Sequence, residues 1–177
     1  QTLKCATFAA GRQMGKTLVL PLLHNKATAK PIFTQGASGA FVLTNGVRGS
    51  LKQTDFEWCS WSKSDCISFT LDLQKDENIH TFTLGSITVY GKAVHKPESI
   101  SVALSSDNVN FMEVGEKHFT PEEIFREGTY VEDLKFDLGT AKARYVRVTA
   151  RGVGKCPPDH VRPGQEARIF FDEIIVE

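Results

Sequence analysis

The chain ends in the stretch ARYVRVTARGVGKCPPDHVRPGQEARIFFDEIIVE, residues 143–177, in which two apolar-rich runs flank a loop dense in Gly, Pro, Cys and His. Residues 143–151 alternate between apolar and polar side chains, which is typical of a β-strand with one buried face. Residues 168–176 are apolar on both phases, and such a strand is normally covered on both sides. The two runs therefore predict two strands of a layered β-structure.

Asp172 and Glu173 stand side by side inside the second of these runs. Neighbouring side chains of a regular strand point to opposite faces, so the sequence predicts that one carboxylate points each way. At least one of them must then lie among apolar neighbours, where it needs a cation or several hydrogen-bond donors. Two partners remain open at this stage: an arginine in a salt bridge, or a bound metal ion.

Length and composition indicate one globular domain with, at most, a short extension. The chain has 177 residues, of which 41% are apolar and 24% are charged, as in ordinary globular proteins. Lys plus Arg equals Asp plus Glu, so the net charge is zero, and charge gives no reason to expect nucleic acid or an anionic membrane as a partner. No apolar run reaches the roughly 18 residues that a membrane-spanning helix needs, so no membrane insertion is expected.

Short apolar runs separated by Gly and Pro predict an all-β chain upstream of this ending. Predicted strands cover residues 17–20, 41–43, 66–73, 79–90, 98–104, 111–114 and 130–138. The phase of alternation switches at Gly85-Ser86, which predicts a bulge there. Residues 120–123, Thr-Pro-Glu-Glu, have the residue types of a capped helix start, and Gly128 keeps that helix short. Many short strands with one helical turn indicate a β-sandwich.

Residues 1–23 stand apart from the rest of the chain. Apart from the strand at 17–20 they show no clear period, and the chain begins with Gln1 rather than Met, which suggests a piece of a longer protein. The expected organisation is therefore a linker or the tail of a preceding domain over residues 1–23, followed by one β-sandwich domain over residues 24–177.

The order of the motifs resembles a known family. ARYVRV, then CPPDH, a glycine and FFDEIIVE are similar to the C-terminal end of a discoidin-like domain, also called coagulation factor 5/8 type C. The turn NGVRGS at 45–50, then a tryptophan, then an alternating strand ending in Leu-Asp-Leu, resembles the first half of the same pattern. The resemblance covers roughly residues 24–177. It implies a galactose-binding-domain-like jelly-roll sandwich of about eight main antiparallel strands.

More narrowly, the chain is similar to the version of this domain appended to family 20 glycoside hydrolases, the β-N-acetylhexosaminidases and chitobiases. This implies a non-catalytic C-terminal accessory domain that binds carbohydrate weakly through its end loops, in an exported enzyme of the periplasm, cell surface or extracellular space. Asp172-Glu173 resembles the adjacent catalytic pair of family 20, but that pair lies on a (β/α)₈ barrel, and this chain lacks the alternating strand and helix pattern to build one.

Two other functions compete with sugar binding. In the first, the domain is purely structural and packs on the catalytic barrel of the same polypeptide or on a partner subunit, without a ligand. In the second, it is a protein- or lipid-binding discoidin module. The second is disfavoured because the turns at 105–108, SSDN, and at 44–50, TNGVRGS, are polar and offer little to insert into a membrane.

Four residues of the loops are the candidate carbohydrate contacts that the resemblance implies. Trp61 is the candidate for stacking on a pyranose, and Arg48, Asp65 and His160 are the candidates for bonding its hydroxyls. Each has a structural alternative, since Trp61 could plug a loop, Asp65 could cap a turn and His160 could be a packed loop histidine. Trp58 is expected in the core under the loops.

The resemblance also implies a structural calcium site. Its ligands would be the side chains of Asn45, Ser50 and Glu173 and the backbone carbonyls of Leu43 and Arg48. Calcium prefers six to eight oxygen ligands, largely anionic. Asn45 replaces the usual aspartate of the family and removes one negative charge. An alternative therefore stays open, in which Arg48 pairs with Glu173 and no calcium binds.

The four cysteines, Cys5, Cys59, Cys66 and Cys156, match no zinc-binding motif in their spacing. We expect free thiols, although Cys59 and Cys66 are placed to pair across a loop.

Overall fold

The structure is a computed structural model that describes residues 2–61 and 65–177. Its strands are β1 Thr2–Cys5, β2 Phe8–Ala9, β3 Arg12–Gln13, β4 Leu18–Pro21, β5 Ile32–Thr34, β6 Ala37–Ser38, β7 Cys59–Trp61, β8 Cys66–Val89, β9 Ser99–Ser105, β10 Met112–His118, β11 Thr129–Arg151 and β12 Phe170–Val176. The helical elements are two 3₁₀ turns, Ala40–Thr44 and Tyr90–Lys92, and the helix α1 Pro121–Ile124. Within the described residues, no helix has the length and apolar character needed to cross a membrane.

Strands β8 and β11 are longer than the sequence predicted, at 24 and 23 residues. Each joins two strands that the alternation had predicted separately. The first part of β8 pairs with the last part of β11, and the last part of β8 pairs with the first part of β11. The register shifts between these parts, at Asp137/Ala141 and at Ala143/Tyr145. Because each part pairs with different neighbours, each long strand bends and belongs to two layers.

The two layers face each other across one apolar core. One layer has the order β10–β9–β11–β8–β5, and the other has the order β11–β8–β12–β7–β6, with antiparallel pairing between all these strands. The residues whose alternation predicted that they face the interior are found in the core. They include Ile67, Phe69, Leu71, Leu73, Ile100, Val102, Leu104, Val146 and Val148. The predicted all-β sandwich is confirmed.

The segment predicted as a strand at residues 41–43 is instead the first 3₁₀ turn. Gly39 precedes the turn with a φ of 79°, a left-handed conformation that favours glycine. Val42 and Leu43 are buried whereas Phe41 is 71% exposed. Periodicity cannot distinguish a short apolar strand from a single helical turn, which is why the prediction was wrong.

The bulge predicted at Gly85-Ser86 of β8 lies instead on the facing strand β12. The pairing of β12 with β8 shifts between Phe171 and Ile174, so Asp172 and Glu173 together stand opposite the single residue Gly85. On its other side, β8 pairs with β11 through Gly85 without any shift in register. The extra residue turns both carboxylates toward the same loop, as described below. The prediction that one carboxylate points each way was wrong because it assumed a regular strand.

Residues 2–21 form a separate two-stranded ribbon. β1 pairs with β4 and β2 pairs with β3, and the predicted short strand at 17–20 is found as β4. The register places Leu3, Cys5, Leu18 and Leu20 on one face, and no residue from 2 to 21 is buried. The division at residue 23 into a tail and a domain remains a prediction.

Candidate functional site

The loop formed by residues 45–50, which follows the first 3₁₀ turn, is bonded to the bulge of β12. The backbone N–H of Gly46 donates to Glu173 Oε2 at 2.8 Å, and the N–H of Gly49 donates to Asp172 Oδ2 at 2.8 Å. Both carboxylate side chains are fully buried. The two adjacent carboxylates therefore hold this loop, called the clamped loop below, against the last strand.

Arg48 supplies a cation to Asp172. Its Nε lies 3.2 Å from Asp172 Oδ2, and its Nη2 pairs with Asp133. The salt-bridge alternative is therefore confirmed for Asp172. Among the described residues, Glu173 has no such ion pair with a lysine or arginine. Because the Arg48 guanidinium bonds two carboxylates, its predicted role as a sugar contact is not supported.

The predicted calcium ligands are partly brought together. Glu173 and the clamped loop meet, and Glu173 Oε1 is buried without a hydrogen-bond partner. Asn45 Oδ1 already accepts from the N–H of Val47 at 2.8 Å, and Ser50 Oγ is bonded to Asp55. The unpartnered oxygen Oε1 of Glu173 could bond a cation. The side-chain oxygens of Asn45 and Ser50 are already in hydrogen bonds, so they would have to bond a cation in addition to their present partners.

Burial raises the pKa of both carboxyl groups, to about 6 for Asp172 and to about 7 for Glu173. Loss of hydration is the largest cause in each case, since it disfavours the charged form. The Arg48 charge opposes the shift at Asp172, and the Gly46 N–H and the side-chain amide of Asn25 oppose it at Glu173. One oxygen of each carboxylate lacks a hydrogen-bond partner, so the charged forms are incompletely compensated.

An open groove of about 1080 Å³ lies beside Trp61. It is bordered by residues 32–36 and by the outer faces of β8 and β11, and its lining includes Phe33, Thr34, Gln35, Ser68, Thr70, Arg147 and Thr149. Phe33 is 55% exposed. Arg147 Nε donates to Thr70 Oγ1 at 3.4 Å. The groove therefore combines an accessible aromatic ring, a guanidinium and several hydroxyl groups.

Trp61 forms a buried edge of this groove and not a platform. The residue is only 4% exposed, and its ring lies 5.8 Å from that of Phe69 and 5.9 Å from that of Phe171. Its indole N–H donates to Thr34 Oγ1 at 3.2 Å. No ring face is free to stack on a pyranose, so the structure supports the loop-plug alternative and not the predicted stacking role.

The other predicted sugar contacts lie in different places. His160 is 4% exposed, and its ring packs 4.1 Å from Tyr90 and 5.1 Å from His95. It is the packed loop histidine of the alternative interpretation, and a sugar contact by its side chain is not supported. Asp65 is exposed and precedes Cys66, which lines the groove. The structure thus does not gather the four predicted residues into one site.

Large apolar side chains are also exposed outside the groove. The turn at 44–50 is polar as predicted, but the segment after it exposes Leu51 at 60% and Phe56 at 91%.

Trp58, in contrast, is 6% exposed, and its indole N–H donates to the carbonyl of Ser50 at 3.0 Å. The expectation that Trp58 packs under the loops is confirmed.

All four cysteines lie within the described residues, and all four are free. Cys59 is buried in the core, and burial raises the pKa of its thiol to about 12. Cys66 is exposed at the groove. The Cys59–Cys66 bridge that the sequence left open is not formed.

The bent two-layer sheet, closed by β12 and its clamped loop, defines the architecture of a discoidin-like β-sandwich. Comparison with protein-family models matches the F5/8 type C domain over residues 28–158. This match covers well over half of the chain, and the chain belongs to the F5/8 type C family. Domains with this fold include carbohydrate-binding modules that occur in glycoside hydrolases.

Three solved structures show the same fold at low sequence identity. A fucose binding module of Streptococcus pneumoniae is 18% identical, with a TM-score of 0.56, covering 96% of this chain and 98% of that one. Chitosan-binding module 1 of a Paenibacillus sp. IK-5 chitosanase/glucanase is 17% identical, with a TM-score of 0.56 and coverage of 87% and 98%. The CpGH89CBM32-5 module of Clostridium perfringens, in complex with GalNAc-β-1,3-galactose, is 16% identical, with a TM-score of 0.53 and coverage of 83% and 94%. Comparison with curated proteins gave no significant match.

Proposed function

We propose that this domain is a non-catalytic module that binds carbohydrate in the groove beside Trp61. The observation that carries the proposal is the joint presence of the exposed Phe33 ring, Arg147 and the hydroxyls of Thr70 and Thr149 in one open groove. Sugar sites typically pair an aromatic face for the C–H surface of the pyranose with a few polar groups for its hydroxyls. The groove is open and has one well-exposed ring, so we expect weak binding.

The parent protein, in this proposal, is an exported glycoside hydrolase of the β-N-acetylhexosaminidase type. The support is the resemblance of the C-terminal motifs to the domain appended to family 20 enzymes. Catalysis would then belong to another part of the polypeptide, and this domain would hold the enzyme near glycans outside the cytoplasm.

A structural role is the second candidate, and the ribbon of residues 2–21 favours it. One face of the ribbon presents Leu3, Cys5, Leu18 and Leu20 without any of them being buried. A two-stranded ribbon is marginally stable on its own in water. Packing of this face on the catalytic barrel or on a partner subunit would explain an apolar ribbon that the sandwich itself does not cover.

Phe33→Ala will weaken carbohydrate binding roughly tenfold or more, since the variant removes the accessible ring of the groove. The measurement is a glycan array that includes N-acetylglucosamine- and galactose-terminated oligosaccharides, followed by titration of the best ligand. Trp61→Ala is unsuitable as a probe because that side chain is in the core, and its loss would destabilise the fold.

Phe56→Ala is the matched control, because it removes an even more exposed phenylalanine that does not line the groove. It should bind as the unmodified domain does. If both variants lost carbohydrate affinity equally, the groove could not be the carbohydrate-binding site. Absence of binding by the unmodified domain would reject the carbohydrate proposal and leave the structural role.

We further propose that a calcium ion stabilises the clamped loop. Glu173 Oε1 and the side chains of Asn45 and Ser50 would hold it together with the carbonyls of Leu43 and Arg48. The support is the buried, unpartnered Oε1, because Arg48 is directed to Asp172 and not to Glu173. The ion would bond Glu173 directly, whereas the Arg48 charge acts on this carboxylate only from a distance.

Calcium at about 100 times its Kd will raise the melting temperature by roughly 5–10 °C, and Glu173→Gln will abolish the increase. The measurement is thermal unfolding near neutral pH after chelation, with and without added calcium. Glu116→Gln, which changes a half-exposed carboxylate elsewhere, is the control and should retain the full response. An unchanged melting temperature for the unmodified protein would contradict the calcium site.

A further inference from the structure

A buried cluster of three metal-ligating side chains lies away from both the groove and the clamped loop. His95, Cys156 and His160 are 1%, 3% and 4% exposed. One ligand atom from each lies within 4.8 Å of the others, and Cys156 Sγ is 3.9 Å from His95 Nε2. Neither the proposed sugar site nor the proposed calcium site uses these residues.

His95 is already oriented as a ligand. Its Nδ1 lies 3.1 Å from the carbonyl oxygen of Ile124, which can only accept, so Nδ1 carries the proton and donates. The lone pair of a neutral His95 is then on Nε2, the atom that lies near Cys156 Sγ. Proteins fix metal-binding histidines in this way, with one ring nitrogen donating to a backbone carbonyl and the other free for the metal.

His160, the third member of the cluster, has an unpartnered polar atom. Its Nδ1 accepts from the backbone N–H of Arg162 at 3.0 Å, while its Nε2 is buried and has no hydrogen-bond partner. Buried polar atoms are nearly always bonded, so an unpaired one in a well-packed site indicates a missing partner. The aromatic rings of Tyr90 and Phe125 pack beside it, and a ring face is at most a weak hydrogen-bond partner.

A crevice of about 440 Å³ reaches His160 from the surface. Its lining includes three carboxylates, those of Glu122, Glu127 and Asp159. Negative charge along a cleft raises the local concentration of cations and steers them inward. The crevice therefore gives a cation access to His160, with negative charge along the way.

We propose that His95, Cys156 and His160 bind a divalent transition-metal ion of the zinc class. One thiolate and two imidazoles suit zinc and related ions, whereas calcium and magnesium require oxygen ligands. In a tetrahedral zinc site neighbouring ligand atoms are about 3.3–3.8 Å apart. The three ligand atoms lie within 4.8 Å of one another, so binding requires the side chains to draw together by up to about 1.5 Å. Water would complete the coordination.

Binding has a defined proton balance. Cys156 releases its thiol proton to solvent when the sulfur becomes a thiolate ligand. His160 must move its proton from Nε2 to Nδ1 and so loses the hydrogen bond from the Arg162 N–H. One proton is released for each ion bound, and the Arg162 amide changes its environment.

Titration of the full reduced chain with Co²⁺, after removal of metal by a chelator, tests the proposal. We expect one ion per chain, thiolate-to-cobalt charge-transfer absorption, tetrahedral d–d bands, and displacement of all of these by Zn²⁺. Cys156→Ser should eliminate the charge-transfer absorption. His160→Gln, which retains the thiol, should weaken binding at least about tenfold. The backbone amide resonance of Arg162 should shift on addition of Zn²⁺.

The double substitution Cys5→Ser and Cys66→Ser controls for adventitious binding, because it removes the two exposed thiols. It should leave the cobalt spectrum unchanged. Loss of the absorption in this control, its persistence in folded Cys156→Ser, or a folded chain that gives no absorption at all would each overturn the site. Circular dichroism of each variant verifies folding, and His160→Gln serves as the test if Cys156→Ser does not fold.

Discussion

Gly85→Ala will destabilise the domain by about 3 kcal/mol or more, because overpacking and disruption of a buried ion pair add together. A Cβ at this position would overlap Asp172 Oδ1 and lie only 2.7 Å from Arg48 Nη2. Asp172 is fully buried, and Gly49 is bonded to it. The carboxylate cannot retreat without breaking the contacts that hold the clamped loop against β12.

The expected loss of stability is opposite to the usual effect of replacing glycine by alanine in a strand. Gly85 lies within β8, where its φ is not in the left-handed region, and alanine is normally favoured over glycine inside a strand. Gly91→Ala is the matched control, since nothing lies within 4 Å of a Cβ there, and it should change stability by no more than about 0.5 kcal/mol. Urea unfolding of both variants measures the difference. Similar values for the two would contradict the packing of Asp172 on Gly85.

Much of the fold could be predicted from the sequence because local signals agree with the tertiary structure. Alternation identified the core-facing residues of β8, β9 and β11, which are those found buried. The helix start was predicted from residue types alone, and both of its bonds are present. Thr120 Oγ1 accepts from the Glu123 N–H at 3.3 Å, and Glu123 Oε2 accepts from the Thr120 N–H at 2.8 Å.

The errors arose where pairing between distant strands decides the local structure. The bulge on β12 is defined by its register against β8, roughly 90 residues earlier, and no local signal at Asp172-Glu173 marks it. For a regular strand, the rule of alternating faces predicts that the two carboxylates point to opposite sides. In the structure, both bond the same loop. In the ribbon of residues 2–21 only β4 was predicted, and β1, β2 and β3 were missed because they are two to four residues long.

The candidate sites were predicted less well than the fold. Residue type selected Trp61 and His160, but their burial depends on packing against Phe69 and Tyr90 from other strands and turns. Phe33 was missed because its place at the groove depends on the pairing of β5 with β8, for which the sequence carries no local signal. His95 is 61 residues from Cys156 along the chain, so spacing could not reveal the metal-binding cluster.

Glu173 and Asp172 together will make the metal-free domain less stable at pH 8 than at pH 5, by on the order of a few kcal/mol. Both folded-state pKa values are raised, from 3.8 to about 6 for Asp172 and from 4.5 to about 7 for Glu173. Well below pH 3.8 both carboxyl groups are protonated in the folded and in the unfolded chain, and the full stability is present. As the pH rises above the unfolded values, only the unfolded chain loses these protons, so stability falls until the folded values are passed.

The double substitution Asp172→Asn and Glu173→Gln isolates this effect. The wild-type profile also contains His95, whose burial lowers its pKa to about 4, so that its contribution falls on acidification, in the opposite direction. Denaturant unfolding in a chelator at several pH values should show the double variant gaining stability relative to wild type between pH 5 and pH 8. If the stability of the double variant and that of the wild type changed with pH in the same way, both charged carboxylates would be sufficiently stabilised by their neighbours in the folded chain. In that case the clamped loop would hold its two negative charges without calcium, and the reason for expecting an ion at Glu173 would disappear.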